Sequence, residues 1–241
     1  MLTKLFKINS KDYSQIYFTS DSHFGHVPKT WSLAEKRGFK TIQEHDEWQL
    51  SFYKNTKPTD LILHCGDFAL NTLPERFIKI VKDTPAKIMM WWGNHESPTS
   101  NIYKKCLSSL MMNNCEIYPL SLYVHSYDQY NPVAGLEKQS NFVFMGNESY
   151  LLIDGQIMNV RHMAPSIWDK MIHDSWAICG HSHGSFSPAN PNTLDKGKIL
   201  DVGVDNAKVY NQTPFFTLQD VKKIMDGKSV LIKDHHGDSH I

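Results

Sequence analysis

Three short apolar runs, each broken off by a loop of glycine, acids and histidine, constrain this chain more than any other feature of its sequence. Gln15-Ile16-Tyr17-Phe18-Thr19-Ser20 stops at Asp21-Ser22-His23-Phe24-Gly25. Leu61-Ile62-Leu63-His64-Cys65 stops at Gly66-Asp67, and Lys87-Ile88-Met89-Met90-Trp91-Trp92 stops at Gly93-Asn94-His95-Glu96. Such runs read as buried strands. Helical patterns separate them. Thr41-x-x-Glu44 is a capping box opening a helix to about Asn55, and Thr72-x-x-Glu75, with Pro74 in its first turn, opens a second. Ser97-Pro98 opens a third, with Ile102, Tyr103, Cys106, Leu107 and Leu110 on one stripe. The alternation predicts parallel β-α-β units whose loops gather at the carboxyl ends of the strands.

Beyond Cys115 the pattern changes. Tyr150 to Val160 reads as two strands joined at Asp154-Gly155, so antiparallel structure is expected after the parallel half. Tyr127 to Asn147, with Pro132, Gly135 and Gly146, reads as a long loop of the kind that carries specificity. Ala177-Ile178-Cys179 reads as a strand running into Gly180-His181-Ser182-His183-Gly184. Ile199 to Val204 reads as a further strand, and Thr217 to Met225, closed by Gly227, as the last helix. No repeat or linker divides the chain, so residues 1–241 are expected to form one domain with a flexible polar tail at 233–241.

Composition excludes several classes. With 41% apolar and 21% charged residues, the chain is too apolar for disorder and too polar for a membrane protein. No apolar run approaches the roughly 18 residues of a spanning helix, and Met1 to Lys11 has no secretory pattern. Lys and Arg balance Asp and Glu at 25 each, which removes the global positive field that would favour nucleic acid. Four cysteines without a C-x-x-C pair suit reduced thiols in a cytoplasm, read as small buried hydrophobes.

Every strand end carries metal-capable side chains: Asp21 and His23, Asp67, Asn94 and His95, His162 after the hairpin, then His181 and His183. If the intervening segments are extended, residues two apart point the same way, so Asp21 with His23 and His181 with His183 each direct two donors into one pocket. The seven donors Asp21, His23, Asp67, Asn94, His162, His181 and His183 exceed one tetrahedral zinc and suit two ions sharing a carboxylate. Mixed imidazole and carboxylate donors favour manganese, iron or zinc over magnesium.

At these residues the chain resembles the calcineurin-like metallophosphoesterase superfamily, in particular its small prokaryotic and phage-type members. The superfamily's blocks D-x-H, G-D, G-N-H-[DE], a lone H and G-H-x-H stand here, in order, as Asp21-Ser22-His23, Gly66-Asp67, Gly93-Asn94-His95-Glu96, His162 and Gly180-His181-Ser182-His183. Val202-Gly203-Val204-Asp205 with Pro214 and a terminal helix resembles the ending of those small members. The resemblance implies an α/β four-layer sandwich, two mixed β-sheets face to face flanked by helices. It implies one divalent metal held by Asp21, His23, Asp67 and His183, and another by Asp67, Asn94, His162 and His181. Asp67 would bridge, and a hydroxide between the metals would be the nucleophile. His95 would serve as general acid or phosphate donor, and manganese is the expected metal. The substrate expectation is a phosphate mono- or diester, small and phosphorylated or nucleotide-like.

Departures matter too. The phosphoprotein-phosphatase extension G-D-x-x-D-R-G is replaced by Gly66-Asp67-Phe68-Ala69-Leu70-Asn71, so the residue orienting His95 is left open. His162 sits in Arg161-His162-Met163-Ala164-Pro165, where an aromatic and a proline more often follow the histidine directly. His26 and Arg161 are candidate phosphate contacts, Arg161 alternatively pairing with a carboxylate. His64 reads as a core histidine, while His45, His125 and His173 carry no functional reading. Glu96 either steadies the site from outside or sits in a helical first turn. The rivals are a non-catalytic scaffold of the same fold, disfavoured because the donors and His95 are all retained, and a nucleic-acid phosphodiesterase.

Overall fold

A computed structural model describes residues 5–27, 32–70, 74–96, 116–117, 141–186 and 197–231. Two β-sheets face each other. The larger is built from β2 (Ile16–Thr19), β3 (Leu61–His64), β4 (Lys87–Trp91), β5 (Glu116–Ile117), β6 (Phe142–Gly146) and β11 (Phe216–Thr217), in the order β11-β2-β3-β4-β6-β5. The smaller holds β1 (Leu5–Ile8), β7 (Glu148–Ile153), β8 (Gln156–Arg161), β9 (Trp176–Cys179) and β10 (Ile199–Asp201), in the order β1-β7-β8-β9-β10.

Period-two alternation explains the layering. Ile16, Phe18, Leu61, Leu63, Met89, Trp91, Val143 and Met145 point into the space between the sheets, where they meet Leu151, Ile153, Met158, Val160, Trp176, Ile178 and Leu200. The alternate residues Ile62, Ile88, Met90, Phe142 and Phe144 form a second core, with Tyr53 of α2 (Ile42–Lys54) and Phe77, Ile80 and Val81 of α3 (Pro74–Asp83) packed on it. A strand buried on both faces must be apolar throughout, which is why these runs do not alternate in sequence. The outer face of the smaller sheet is covered at Ala177, Cys179 and Ile199 by Ala164, Trp168 and Phe186 from non-helical chain. Two helices complete the described residues of the C-terminal part, α4 (Val204–Asn211) and α5 (Leu218–Asp226), after the short α1 (Leu33–Lys36) near the start. Among the described residues no helix is long and apolar enough to cross a membrane.

Most boundaries follow the sequence signals. Thr41 caps α2 by accepting from Glu44 N, while the Glu44 carboxylate turns to Lys40 N instead of closing the box. Thr217 and Asp220 form a complete capping box on α5. Three expectations need correction. Residues 142–146 of the expected 127–147 loop are strand β6, paired parallel to β4, because Phe142-Val143-Phe144-Met145 is a buried apolar run. The strand expected over 199–204 ends at Asp201, and Val204 already opens α4. The second half is not mainly antiparallel: β7 and β8 are, but β9 runs parallel to β8 and β10 to β9. The short β1, a segment to which no element was assigned from sequence, pairs parallel to β7. The helix expected after Ser97, Cys106, Cys115, His125 and the 233–241 tail lie outside the described residues.

The parallel strands deliver their carboxyl ends to one edge. There, an isolated parallel bridge joins Ser20, just past β2, to Gly203, just past β10, with Val204 N donating to Ser20 O at 3.0 Å. The two sheets are thereby tied together beside the site.

Candidate metal centre

Each of these strand ends turns abruptly. Nine non-glycine residues among those described have positive φ, and five of them are Asp21, His23, Asp67, His181 and His183. Left-handed backbone costs roughly 1–3 kcal/mol at such a residue, though Asp and His tolerate it better than most. Its concentration at one edge marks a place where geometry has been favoured over stability. The expectation that each pair converges because its segment is extended is therefore corrected: left-handed turns aim the side chains inward. Backbone bonds from Asp21 N to Gly66 O (2.9 Å) and from His23 N to Asp67 O (3.0 Å) carry the β2-β3 ladder into these turns. Ser22 and Ser182 point elsewhere, Ser22 to Tyr53 and His64, Ser182 to Asp201.

Close approach demands glycine at two points. A Cβ on Gly93 would lie 2.0 Å from Asp67 Oδ1, and one on Gly180 would lie 2.5 Å from Asp21 Oδ2. Neither loop could come as near with any other residue.

Asp67 stands at the middle of the cluster. Its Oδ2 lies 3.3 Å from His162 Nε2, 3.7 Å from His23 Nε2 and 3.8 Å from His95 Nε2, while Oδ1 accepts from His95 N at 2.9 Å. His162 Nδ1 donates to Cys65 O at 2.9 Å, which fixes its tautomer and turns Nε2 toward Asp67 and toward Asn94 Oδ1, 2.9 Å away. His181 Nδ1 lies 2.8 Å from the same Asn94 oxygen. Asp21 Oδ2 accepts from His181 N at 2.9 Å, leaving Oδ1 3.8 Å from His23 Nε2. Three sets of side chains have donor atoms mutually within 4.8 Å: Asp21, His23 and His183; His23, Asp67 and His95; Asp67, His162 and His181.

Electrostatics agree with a cation site. Asp21 Oδ1 and both ring nitrogens of His23 are buried with no hydrogen-bond partner. Such orphans are expensive, and a cation would satisfy Asp21 Oδ1 and one of the two ring nitrogens. Burial holds the His23 imidazole well below its usual pKa, against the opposing charge of Asp67 and with Arg37 adding to the effect, so the ring is neutral. His162 goes the other way: burial would lower it, but the bond to Asp67 and the charges of Asp21 and Asp67 raise it to about 9. Excess negative charge at its Nε2 is what a metal would otherwise neutralise. Burial raises Asp21, the His162 and His183 charges opposing. The residues present therefore fit a pair of divalent cations.

An outer ring of buried groups holds these loops. Glu96, fully buried, accepts from Asp67 N (2.7 Å), Phe68 N (2.6 Å) and Gly93 N (2.7 Å), clasping the loops after β3 and β4 together. Burial lifts its carboxyl to about 7, with the Asp67 charge adding to it. Asp201 accepts from Ser182 Oγ, Gly184 N and Gly203 N, and so shapes the loop bearing His181 and His183. His183 Nδ1 meets Asp205 Oδ2 at 2.9 Å, and Arg37 Nη2 donates to that oxygen at 2.7 Å. Of these, only Glu96 was legible as a supporting group in the sequence. Asp205 stood in a recognised ending without a role, and Arg37, Asp201 and buried His45 gave no signal.

The remaining candidates are placed as follows. His95 is 38% exposed and its ring lies 5.5 Å from that of His23, at the open side of the cluster. The His26 ring lies 5.4 Å from His23, and its buried Nδ1 has no partner. Arg161 approaches Glu148 at 3.6 Å, on the face of β8 away from the inter-sheet core. His64 is fully buried, with Nε2 3.0 Å from Ser22 Oγ and Nδ1 accepting from Gly66 N. Cys65 and Cys179 are buried and free.

Comparison with known proteins bears on this geometry. None of the curated proteins matches the chain. A solved structure titled as a protein of unknown function, AQ665 from Aquifex aeolicus, is similar in fold at 15% identity and a TM-score of 0.51, covering 87% of this chain and 98% of its own. The family model described as calcineurin-like phosphoesterase matches residues 14–200, an interval that runs from β2 to β10 and contains every block of the cluster. The chain belongs to the calcineurin-like phosphoesterase family.

Proposed function

We propose that this protein hydrolyses phosphate esters with two divalent cations bound in the cradle. Asp21, His23, Asp67 and His183 would hold one cation, and Asp67, Asn94, His162 and His181 the other. The supporting observation is the Asp67 carboxylate, whose Oδ2 lies between the imidazoles of His23 and His162 at 3.7 and 3.3 Å. When bound, such a pair supplies charge neutralisation at the phosphoryl oxygens and a hydroxide nucleophile at neutral pH. The donor chemistry suits manganese, with iron or zinc as alternatives.

His95 is the proton carrier in this reading. Its backbone is anchored on Asp67 Oδ1, so its ring stays over the site, and its exposure lets it reach a leaving-group oxygen. His26, beside His23, would contact a substrate phosphate; Arg161 would do so only by leaving Glu148. A net charge of zero favours a small phosphorylated or nucleotide-like substrate over a nucleic acid.

Nitrophenyl phosphate monoester and diester, assayed with Mn²⁺ and after chelation, test the proposal. Turnover should require metal and vanish in Asp67→Asn. His95→Ala should retain metal while turnover falls by about two to four orders of magnitude. Metal-independent hydrolysis, or full activity in Asp67→Asn, refutes the assignment.

A further inference from the structure

A chain of buried polar contacts runs from the surface to one side of the cradle. Arg76 Nη2 donates to Asp46 Oδ2, and Asp46 Oδ1 accepts from His45 Nδ1 at 3.0 Å. His45 Nε2 then accepts from Arg37 Nη1 at 2.9 Å, a direction fixed because arginine is donor only. Arg37 Nη2 donates at 2.7 Å to two acceptors, Asp21 O and Asp205 Oδ2. Asp205 Oδ2 in turn meets His183 Nδ1 at 2.9 Å. His45, Asp46 and Arg37 are all buried.

The endpoints are specific. A single guanidinium nitrogen grips the left-handed turn at Asp21 and, through Asp205, holds the His183 ring by its Nδ1. Both residues belong to one donor set, Asp21, His23 and His183. The other set leans on further groups, His162 on Cys65 O and the Asp67 backbone on Glu96, while His181 N reaches across to Asp21 Oδ2. Buried charge of this kind is retained where geometry must be exact, since a well-packed apolar group would serve stability as well.

We infer that Arg37 and Asp205 are positioning residues for the cation held by Asp21, His23 and His183, so that their loss weakens this position far more than the other. The inference rests on the two-cation reading above. It assigns a role to residues outside the five motif blocks, Arg37 standing 16 residues from Asp21 and Asp205 22 from His183.

Mn²⁺ titration of the full chain, read by the paramagnetic resonance of free Mn²⁺, separates the cases. Wild type should bind two ions tightly. Asp205→Ala and Arg37→Gln should keep one and lose affinity for the other by about 10- to 100-fold. Asp205→Asn, whose amide oxygen can still accept from His183, should fall between. Melting of each metal-free variant is followed by circular dichroism, and should Asp205→Ala not fold, Asp205→Asn carries the comparison. Two sites weakened equally, or neither weakened, overturns the inference while leaving the two-cation reading standing. A wild type that binds fewer than two ions overturns both.

Discussion

The space between the sheets and the edge where the strands end obey opposite rules. Between the sheets, side chains such as Leu61, Leu63, Met89 and Ile178 are wholly buried and alternate regularly. At the edge, five of the donors sit in left-handed backbone and buried polar atoms lack partners. The first region is built for stability and the second draws on it. A parallel sheet packed on both faces is stiff enough to hold strained turns in place, as Glu96 and Asp201 do from closer by. Five of the nine left-handed non-glycine residues described stand together at this edge, and that concentration is evidence of purpose.

Three substitutions would break or sharpen this contrast. The largest effect is expected from Gly93→Ala, whose new Cβ would strike Asp67. Displacing that carboxylate by about an ångström should lower turnover by at least about 100-fold. The same variant should lose only about 1–3 kcal/mol of stability, measured by denaturant unfolding. An active Gly93→Ala enzyme would mean the close approach is unnecessary.

Leu61→Ala should show the reverse. Leu61 opens β3, roughly 20 Å along the strand from Asp67, and is fully buried. Its truncation should cost about 2–5 kcal/mol while turnover per folded molecule stays within a few-fold of wild type. Parallel loss of turnover would show that core and edge are not separable.

The smallest effect concerns pH. Burial, assisted by the His162 charge, depresses His64 to about 3, against an ordinary 6.5. Below 6.5 the unfolded chain therefore takes up a proton at this residue that the folded chain refuses, so stability falls with pH. His64→Gln should remove that dependence, leaving wild type about 2 kcal/mol more acid-sensitive between pH 7 and pH 5. Glu96 and Asp201, raised to about 7 and about 6 by burial, push the opposite way in both proteins, so the difference isolates His64. Equal slopes would place His64 outside the acid response.

What could be read from sequence divides along the same line. The donors were legible because each ends an apolar run, and a parallel strand must finish where its neighbours finish. Strand β6 was not, since Phe142-Val143-Phe144-Met145 lies between glycine and proline signals that suggest a loop. The left-handed turns were hidden because Asp and His announce no backbone state as glycine does. Arg37 and Asp205 escaped because their partnership spans 168 residues, and a lone arginine in a polar segment looks like ordinary surface. Local rules find the ends of strands; they do not find what leans on them.

The bridge between Ser20 and Gly203 has one further consequence. Asp21 follows its first member directly, and Asp205 lies two residues beyond its second. Any breathing that parts the sandwich at this seam must tear both anchor points at once. The turn at Asp21 and the support at Asp205 should thus open together, in one local event.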